Sequence, residues 1–434
     1  MRVSVFISTP LFAILGRAGG MIIPFFIAFL YGVTRETDAF FFSYAFILFA
    51  GGLTQQVFES ALVPYLAEQK KIRTGLAAEM ASRVAWTILP FVGSMALLIG
   101  LGMGFVLSKI SGLSAQTASV AVRLYFEMIP FLLLAIPASA VNGVFNTHKI
   151  FWYPAFSPLL RSLVVIACLF LFHKNLGIHA VSLGFCVGEA VRWGVSQIIL
   201  SRHGLSERDG EGKTKAELKA NFWSETGFQI LALAAAQLVP LVNQWFSTWM
   251  GTGEVTLLSY ADRLMMIPSQ IFIAGISQIY LSRWADAFLE QSVENFRIRV
   301  VHDTKLVCFV SLSVSVMLWL LRDPIVSIAY SRGNFAPEYA PRVAEVFGWF
   351  VLGFAPTVFN SLCLRVLFIL RKPIAFCVQS WGKIVLQVLL ALWMTPHFGI
   401  GGVAMATSIS MLLAGYFTWA YVGKVWRVSP GGTS

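Results

Sequence analysis

Long apolar runs separated by short polar breaks recur along this chain of 434 residues. A helix that crosses the hydrocarbon core of a bilayer needs about 20 apolar residues. Measured against that length, the runs predict about twelve spans: 8–32, 39–65, 84–108, 122–146, 153–172, 178–200, 224–250, 255–281, 304–330, 342–369, 373–395 and 400–422. The most polar internal stretch, Ser201–Asn221 (SRHGLSERDGEGKTKAELKAN), divides them six and six and has the composition of a linker. The pattern therefore predicts an N-terminal lobe over 1–201, a cytoplasmic linker over 202–221 and a C-terminal lobe over 222–434.

The halves echo each other. HKNLGIHAVSL before the sixth span resembles TPHFGIGGVAM before the twelfth, aligning Gly177-Ile178 with Gly399-Ile400. Six is even, so the second half enters the bilayer in the same direction as the first, which makes a parallel repeat about an axis along the membrane normal. The expected fold is an all-α integral membrane protein of about twelve transmembrane helices, in two six-helix lobes related by a pseudo-two-fold along that normal. Such architectures commonly bind substrate between the lobes and alternate its access by rocking.

Composition sharpens this picture. Hydrophobic residues make up 57% and charged residues 12%, against roughly 25% charged in soluble domains. The first run, Val3–Leu30, contains only Arg17 as a charge and no small-residue cleavage pattern follows it, so a retained helix is expected. The five cysteines fall in apolar runs without a CxxC pair and read as small buried hydrophobes. No HExxH, no GxxxxGK[ST] and no GxSxG with plausible partners occurs, and the six histidines are scattered. The expectation is a protein that is not an enzyme and needs no metal and no cofactor.

The net charge of +11 could suggest nucleic acid until the 32 basic residues are placed. With the twelve spans drawn, nineteen fall on one side and six on the other. An excess of this kind marks the cytoplasmic face, which puts both termini in the cytoplasm and assigns the charge to topology and anionic lipid rather than nucleic acid. Seven basic residues remain inside spans, and Arg17, Arg161, Arg263 and Lys383 are the deepest. A central Arg costs about 2.5–3.5 kcal/mol on insertion scales, so these groups are expected to face a partner or a water-filled cavity. SYADRLMMIP (Ser259–Pro268) places Asp262 beside Arg263. Neighbours on a helix point about 100° apart and need not pair with each other. Two readings stand: an ion pair between helices, or an Arg whose bidentate fork meets an anionic substrate. The basic bias of the deepest charges favours an anionic substrate over an organic cation.

Several motifs extend the second reading: TDAFF at Thr37–Phe41, ALVPYLAE at Ala61–Glu68, FNTHKIFWYPAFSPLL at Phe145–Leu160, SYADRLMMIP, and SRGNF at Ser331–Phe335. In these the chain resembles the MurJ/MviN family of lipid-linked oligosaccharide flippases, within the MOP transporter superfamily that also holds MATE drug exporters. The resemblance implies a flippase of the bacterial inner membrane, moving a polyprenyl-pyrophosphate-linked saccharide from the cytoplasmic to the outer leaflet for peptidoglycan or exopolysaccharide synthesis. The substrate would be lipid II or a related cell-envelope precursor. Implied partners are that substrate, membrane lipids, and envelope polymerases or glycosyltransferases.

The same resemblance implies that Arg17 (in GRAGG) and Arg263 bind substrate phosphate, and it carries over Asp38 as a structural or gating residue, with substrate contact the alternative. Asp262, which would fix the helix or pair with a neighbouring base, and Asn243 are read as structural or gating residues. The chain departs from the family pattern at Ile23 and at Ala50 or Gly51, where the family carries further arginines, and in having twelve rather than fourteen spans. Arg161 and Lys383 are the candidates to supply the missing charge. Some members hold sodium with carboxylates and amides of helices seven, eleven and twelve. Here Asn243, Lys383 and Gln387 stand in helices seven and eleven without a carboxylate, and a cation beside Lys383 is disfavoured, so sodium coupling is not expected. The rival readings are a small-molecule or drug exporter on the same scaffold, and a non-transporting scaffold for envelope synthesis.

Overall fold

Backbone N–H and C=O groups in hydrocarbon find no water, so each apolar run has to satisfy them internally as helix. The computed structural model describes residues 16, 19–57, 66, 76–205, 221–290, 293–370 and 372–428, and the regular structure among these is helical throughout. Eight helical segments among the described residues are long and apolar enough to cross a membrane, and Gly19–Tyr31 is a shorter apolar helix.

The contacts divide the chain into two compact units, Met1–Ile230 and Leu231–Ser434. In the first, α1 (Gly19–Tyr31) is followed by α2 (Arg35–Val57), α3 (Leu76–Ile110), α4 (Ala115–Thr147), α5 (Trp152–Leu176) and α6 (His179–Arg202). The start of α2 is set by a reciprocal cap. The Thr34 backbone N–H donates to Thr37 Oγ1 at 2.9 Å, and the Thr37 N–H donates to Thr34 Oγ1 at 3.2 Å, which satisfies two donors that a helix start otherwise leaves open. Ser114 caps α4, accepting from the Thr117 N–H.

Helix α4 is the hub of this unit, packing against α2, α3 and α6. Polar links fix its register: Ser43 Oγ of α2 donates to the Ala121 carbonyl at 2.6 Å, and Tyr125 OH donates to the Ala96 carbonyl of α3 at 3.0 Å. The closest pair is α5 with α6. Its contact is made by Gly184 and Gly188, a GxxxG spacing that lets backbones approach in lipid. A Cβ at Gly184 would lie 3.1 Å from the Val165 Cα, and one at Gly188 would lie 2.9 Å from the Arg161 carbonyl oxygen.

The second unit follows on from α7 (Asn221–Ser247), which crosses the division. It contains α8 (Glu254–Glu290), α9 (Val293–Leu320), α10 (Arg322–Tyr330), α11 (Ala340–Leu352), α12 (Phe354–Ile369) and α13 (Pro373–Val428). Two spans expected as continuous helices are broken. The ninth is α9 plus α10, interrupted at Leu321 (φ −96°, ψ 10°), and the tenth is α11 plus α12, interrupted at Gly353 (φ −79°, ψ −5°). Pro324 and Pro356 each follow the break by three residues. Proline offers no N–H and its ring crowds the carbonyl four residues back, which accounts for both positions.

Spans eleven and twelve are the two arms of α13, which meet at Gly399 (φ 56°, ψ −140°). Gly177, between α5 and α6, has φ 56° and ψ −139°. The two glycines aligned by the sequence echo thus share one backbone conformation, in a region open essentially to glycine alone. Tyr31 OH donates to the Gly177 carbonyl at 2.7 Å, tying α1 to the first of these turns.

Candidate functional site

In the C-terminal unit the SYADRL stretch lies in the first half of α8. Ser259 Oγ accepts from Gln244 Nε2 at 2.7 Å and donates to the Val255 carbonyl at 2.7 Å. Tyr260 is fully buried and stacks on Tyr330 with ring centroids 4.8 Å apart, and Tyr330 OH donates to the Tyr260 carbonyl at 3.0 Å. Phe335 closes the cluster, 5.8 Å from the Tyr330 ring and 6.1 Å from the Tyr260 ring. Two motifs noted separately in the sequence, SYADRL and SRGNF, are therefore one packed unit. Gly333 (φ 65°) provides the turn that folds Phe335 inward. Asp262 and Arg263 follow directly on this rigid turn, and both are half-buried. Arg263 Nη1 lies 3.2 Å from Met266 Sδ, one turn further along α8. The start of the helix is held by an ion pair between Glu254 and Arg342 of α11.

Asn243 is buried in α7, and its Oδ1 accepts from Gln387 Nε2 at 2.8 Å and from Thr407 Oγ1 at 2.9 Å. Each arm of α13 thereby joins α7 through a neutral polar cluster. Thr407 was not singled out from the sequence, where it sits unmarked in the apolar run AMATSIS. Its period with Val403, whose carbonyl it also bonds, is the available signal. Lys383, one turn before Gln387, is buried and lines a groove of about 1040 Å³ shared with Lys372, Gly382, Phe417 and Tyr421. No cluster of His, Cys, Asp or Glu suited to a metal occurs among the described residues.

In the N-terminal unit Arg161 meets an acid rather than open space. Arg161 Nη1 donates to Glu189 Oε2 at 3.4 Å, and Arg192 Nε donates to Glu189 Oε1 at 2.9 Å. Glu189 is completely buried, Arg192 nearly so, and the Arg161 guanidinium also sits 5.5 Å from the centre of the Phe131 ring. The GxxxG contact explains the pairing: it presses Gly188 onto the Arg161 backbone, so the next side chain, Glu189, reaches the guanidinium. One carboxylate serves two arginines, leaving one net positive charge in this cluster. A more exposed acid, Glu127, pairs with Arg123 at 3.2 Å and contacts His179 at 2.8 Å.

Asp38 is buried in the first turn of α2, where its N–H donates to the Thr34 carbonyl at 3.1 Å. A carboxylate there is favoured by the helix dipole. Arg17 lies outside the described residues. Gly16 and Gly19 are described, and both press against α5: Gly16 onto Ala155, and Gly19 so closely that a Cβ would lie 3.1 Å from the Leu159 Cα.

The sequence model of the family described as "Lipid II flippase MurJ" matches residues 27–434. Lipid II flippase MurJ of Burkholderia cenocepacia is 22% identical over 438 residues, covering 97% of this chain and 84% of that protein. A probable lipid II flippase MurJ of Thermotoga maritima is 22% identical over 404 residues, covering 91% and 80%. Among solved structures, lipid II flippase MurJ in an inward closed conformation superposes with a TM-score of 0.80 at 18% identity, covering 97% of this chain and 88% of that one. An inward-facing MATE multidrug transporter of the MOP superfamily gives 0.81 at 12% identity, covering 95% of each. The fold is the one shared by these transporters, and the match across nearly the whole sequence shows that the chain belongs to the MurJ family.

Proposed function

We propose that this chain is a flippase for a polyprenyl-pyrophosphate-linked saccharide of the lipid II class, carried from the cytoplasmic to the outer leaflet, with both termini cytoplasmic. The observation that carries the reading is the placement of Arg263. It stands half-buried in the first half of α8, beside the buried Tyr260–Tyr330–Phe335 cluster. A guanidinium held on a rigid element is suited to a phosphate-bearing headgroup, whose two oxygens match its fork. The charge left over at Arg161, Glu189 and Arg192 gives the N-terminal unit a second positive field. Arg17 would contribute a third, as the family resemblance implies.

The test is depletion of the protein in its own cells, with polyprenyl-linked precursors followed by leaflet-specific labelling and mass spectrometry. Inward accumulation of lipid II, unrescued by Arg263→Ala but rescued by the wild-type gene, is the expected result. Accumulation of a different lipid-linked saccharide would keep the mechanism and change the cargo. Normal distribution of every such lipid would refute the proposal. The MATE likeness supports a second reading, export of a small molecule; that reading predicts drug sensitivity on depletion with envelope precursors undisturbed.

A further inference from the structure

We propose that the groove between the two arms of α13 is a binding site for one anionic phospholipid of the surrounding membrane, distinct from any transported cargo. One wall is a single helical stripe on the first arm: Ile374, Val378, Gly382, Val385 and Leu389, spaced by three or four residues. The opposite wall comes from Phe417 and Tyr421 of the second arm, with Ala414 and Thr418. The stripe is about 22 Å long at 1.5 Å per residue. That exceeds the roughly 15 Å depth of one leaflet of hydrocarbon, so an acyl chain fits along it. Ile374, Val378, Val385 and Leu389 are each more than half exposed, as apolar side chains facing lipid are. The volume, about 1040 Å³, lies at the upper end of the ~300–1,000 Å³ usual for small-ligand pockets.

The charge of the lining separates a specific lipid from bulk hydrocarbon. Two cations border the groove and no acid does. Lys372 stands where α13 begins, at a helix N-terminus whose partial positive charge favours an anion. Lys383 is only 8% exposed and lies eleven residues deeper. No partner to its ammonium occurs among the described residues. The Cα–Cβ bonds of a helix tilt toward its N-terminus, and the four-carbon stem of Lys383 is long enough to bring its ammonium nearer Lys372. A buried cation with no counter-ion is costly in hydrocarbon, and a lipid phosphate entering at the Lys372 end supplies that counter-ion. Gly382 keeps the channel open beside it: a Cβ built there meets nothing within 4 Å.

The site is testable by native mass spectrometry of the full-length protein in mild detergent, titrated with phosphatidylglycerol or with phosphatidylcholine carrying the same acyl chains. Wild type is expected to bind one phosphatidylglycerol at least roughly tenfold more tightly than phosphatidylcholine, the scale of one charge-assisted contact. Gly382→Phe, which fills space without meeting protein atoms at its Cβ, should lose that lipid while its unfolding temperature in lipid-free detergent stays at the wild-type value. Lys383→Met should keep lipid binding but weaken the preference between headgroups, and adding Lys372→Met should abolish it. Equal affinity of wild type for the two lipids would overturn the proposal, as would undiminished phosphatidylglycerol binding by Gly382→Phe. Recovery of a polyprenyl phosphate in place of a phospholipid would overturn it too. None of these readouts depends on transport, so the proposal and the flippase reading can fail separately.

Discussion

Removing the carboxylate of Glu189 should destabilise the N-terminal unit more than losing any other single charge described in it. Glu189 is fully enclosed and holds Arg161 of α5 at 3.4 Å and Arg192 of its own helix at 2.9 Å. Glu189→Ala leaves two guanidinia facing each other across the space that the acid filled. Breaking a buried pair costs about 3–5 kcal/mol, because the remaining charge is stranded. The Arg161 side chain is 21% exposed and can turn partly toward the lipid headgroups or water, so the lower end, about 3 kcal/mol, applies. At about 2–4 °C per kcal/mol for a unit of this size, the unfolding temperature should fall by about 6–12 °C. Glu189→Gln keeps the volume and some hydrogen bonding and should fall by roughly half as much. Adding Arg192→Met to Glu189→Ala should recover part of the loss, giving a positive coupling in a double-mutant cycle. The assay is thermal unfolding of purified variants in one detergent. An unfolding temperature for Glu189→Ala within about 2 °C of wild type would refute the premise that these arginines depend on this acid.

Other consequences are simpler to state. Gly177→Ala and Gly399→Ala should each lose about 1–3 kcal/mol, read as similar drops in unfolding temperature; a loss at one site without the other would show that the shared backbone shape is not energetically equivalent in the two halves. The Asn243–Gln387–Thr407 cluster leaves the Gln387 amide oxygen without a hydrogen-bond donor but includes no acid to balance a cation, so replacing sodium with potassium at constant ionic strength should leave unfolding temperature and transport rate unchanged. A sodium-specific stabilisation that disappears in Asn243→Ala would contradict this.

The helical architecture was legible because lipid removes the alternatives: a run of apolar residues about 20 long has little option but helix. The repeat was legible at the one place where chemistry demanded it, since the conformation shared by Gly177 and Gly399 excludes other residues and so preserves a visible identity in both halves. The breaks at Leu321 and Gly353 were signalled by Pro324 and Pro356, but proline alone is ambiguous: Pro90, Pro137 and Pro268 lie inside helices that continue through them. The charged sites were less readable. Glu189 and Arg192 are three apart and announce a same-face pair. Nothing in the spacing of Arg161, 28 residues earlier, shows that it shares that acid. That pairing depends on how closely two helices approach, and the GxxxG of Gly184 and Gly188 was the overlooked clue. Lys383 poses the opposite difficulty, because the lack of a partner among the described residues is a property of every neighbour at once.

The turns at Gly177 and Gly399 also bear on how the chain enters a membrane. In each, two long helices join through a tight turn at a glycine instead of a long hydrophilic loop. With both termini cytoplasmic, as proposed above, the tip of such a hairpin must pass through the hydrocarbon before the pair can stand upright. The second tip, Pro396–Ile400, carries no residue that is always charged, so little polar mass has to be dragged across. Both arms can therefore slip in together from one side as a preformed wedge, their backbone bonds already closed. Lengthening either turn with a few lysines would leave the finished structure geometrically possible while obstructing the route by which it is made.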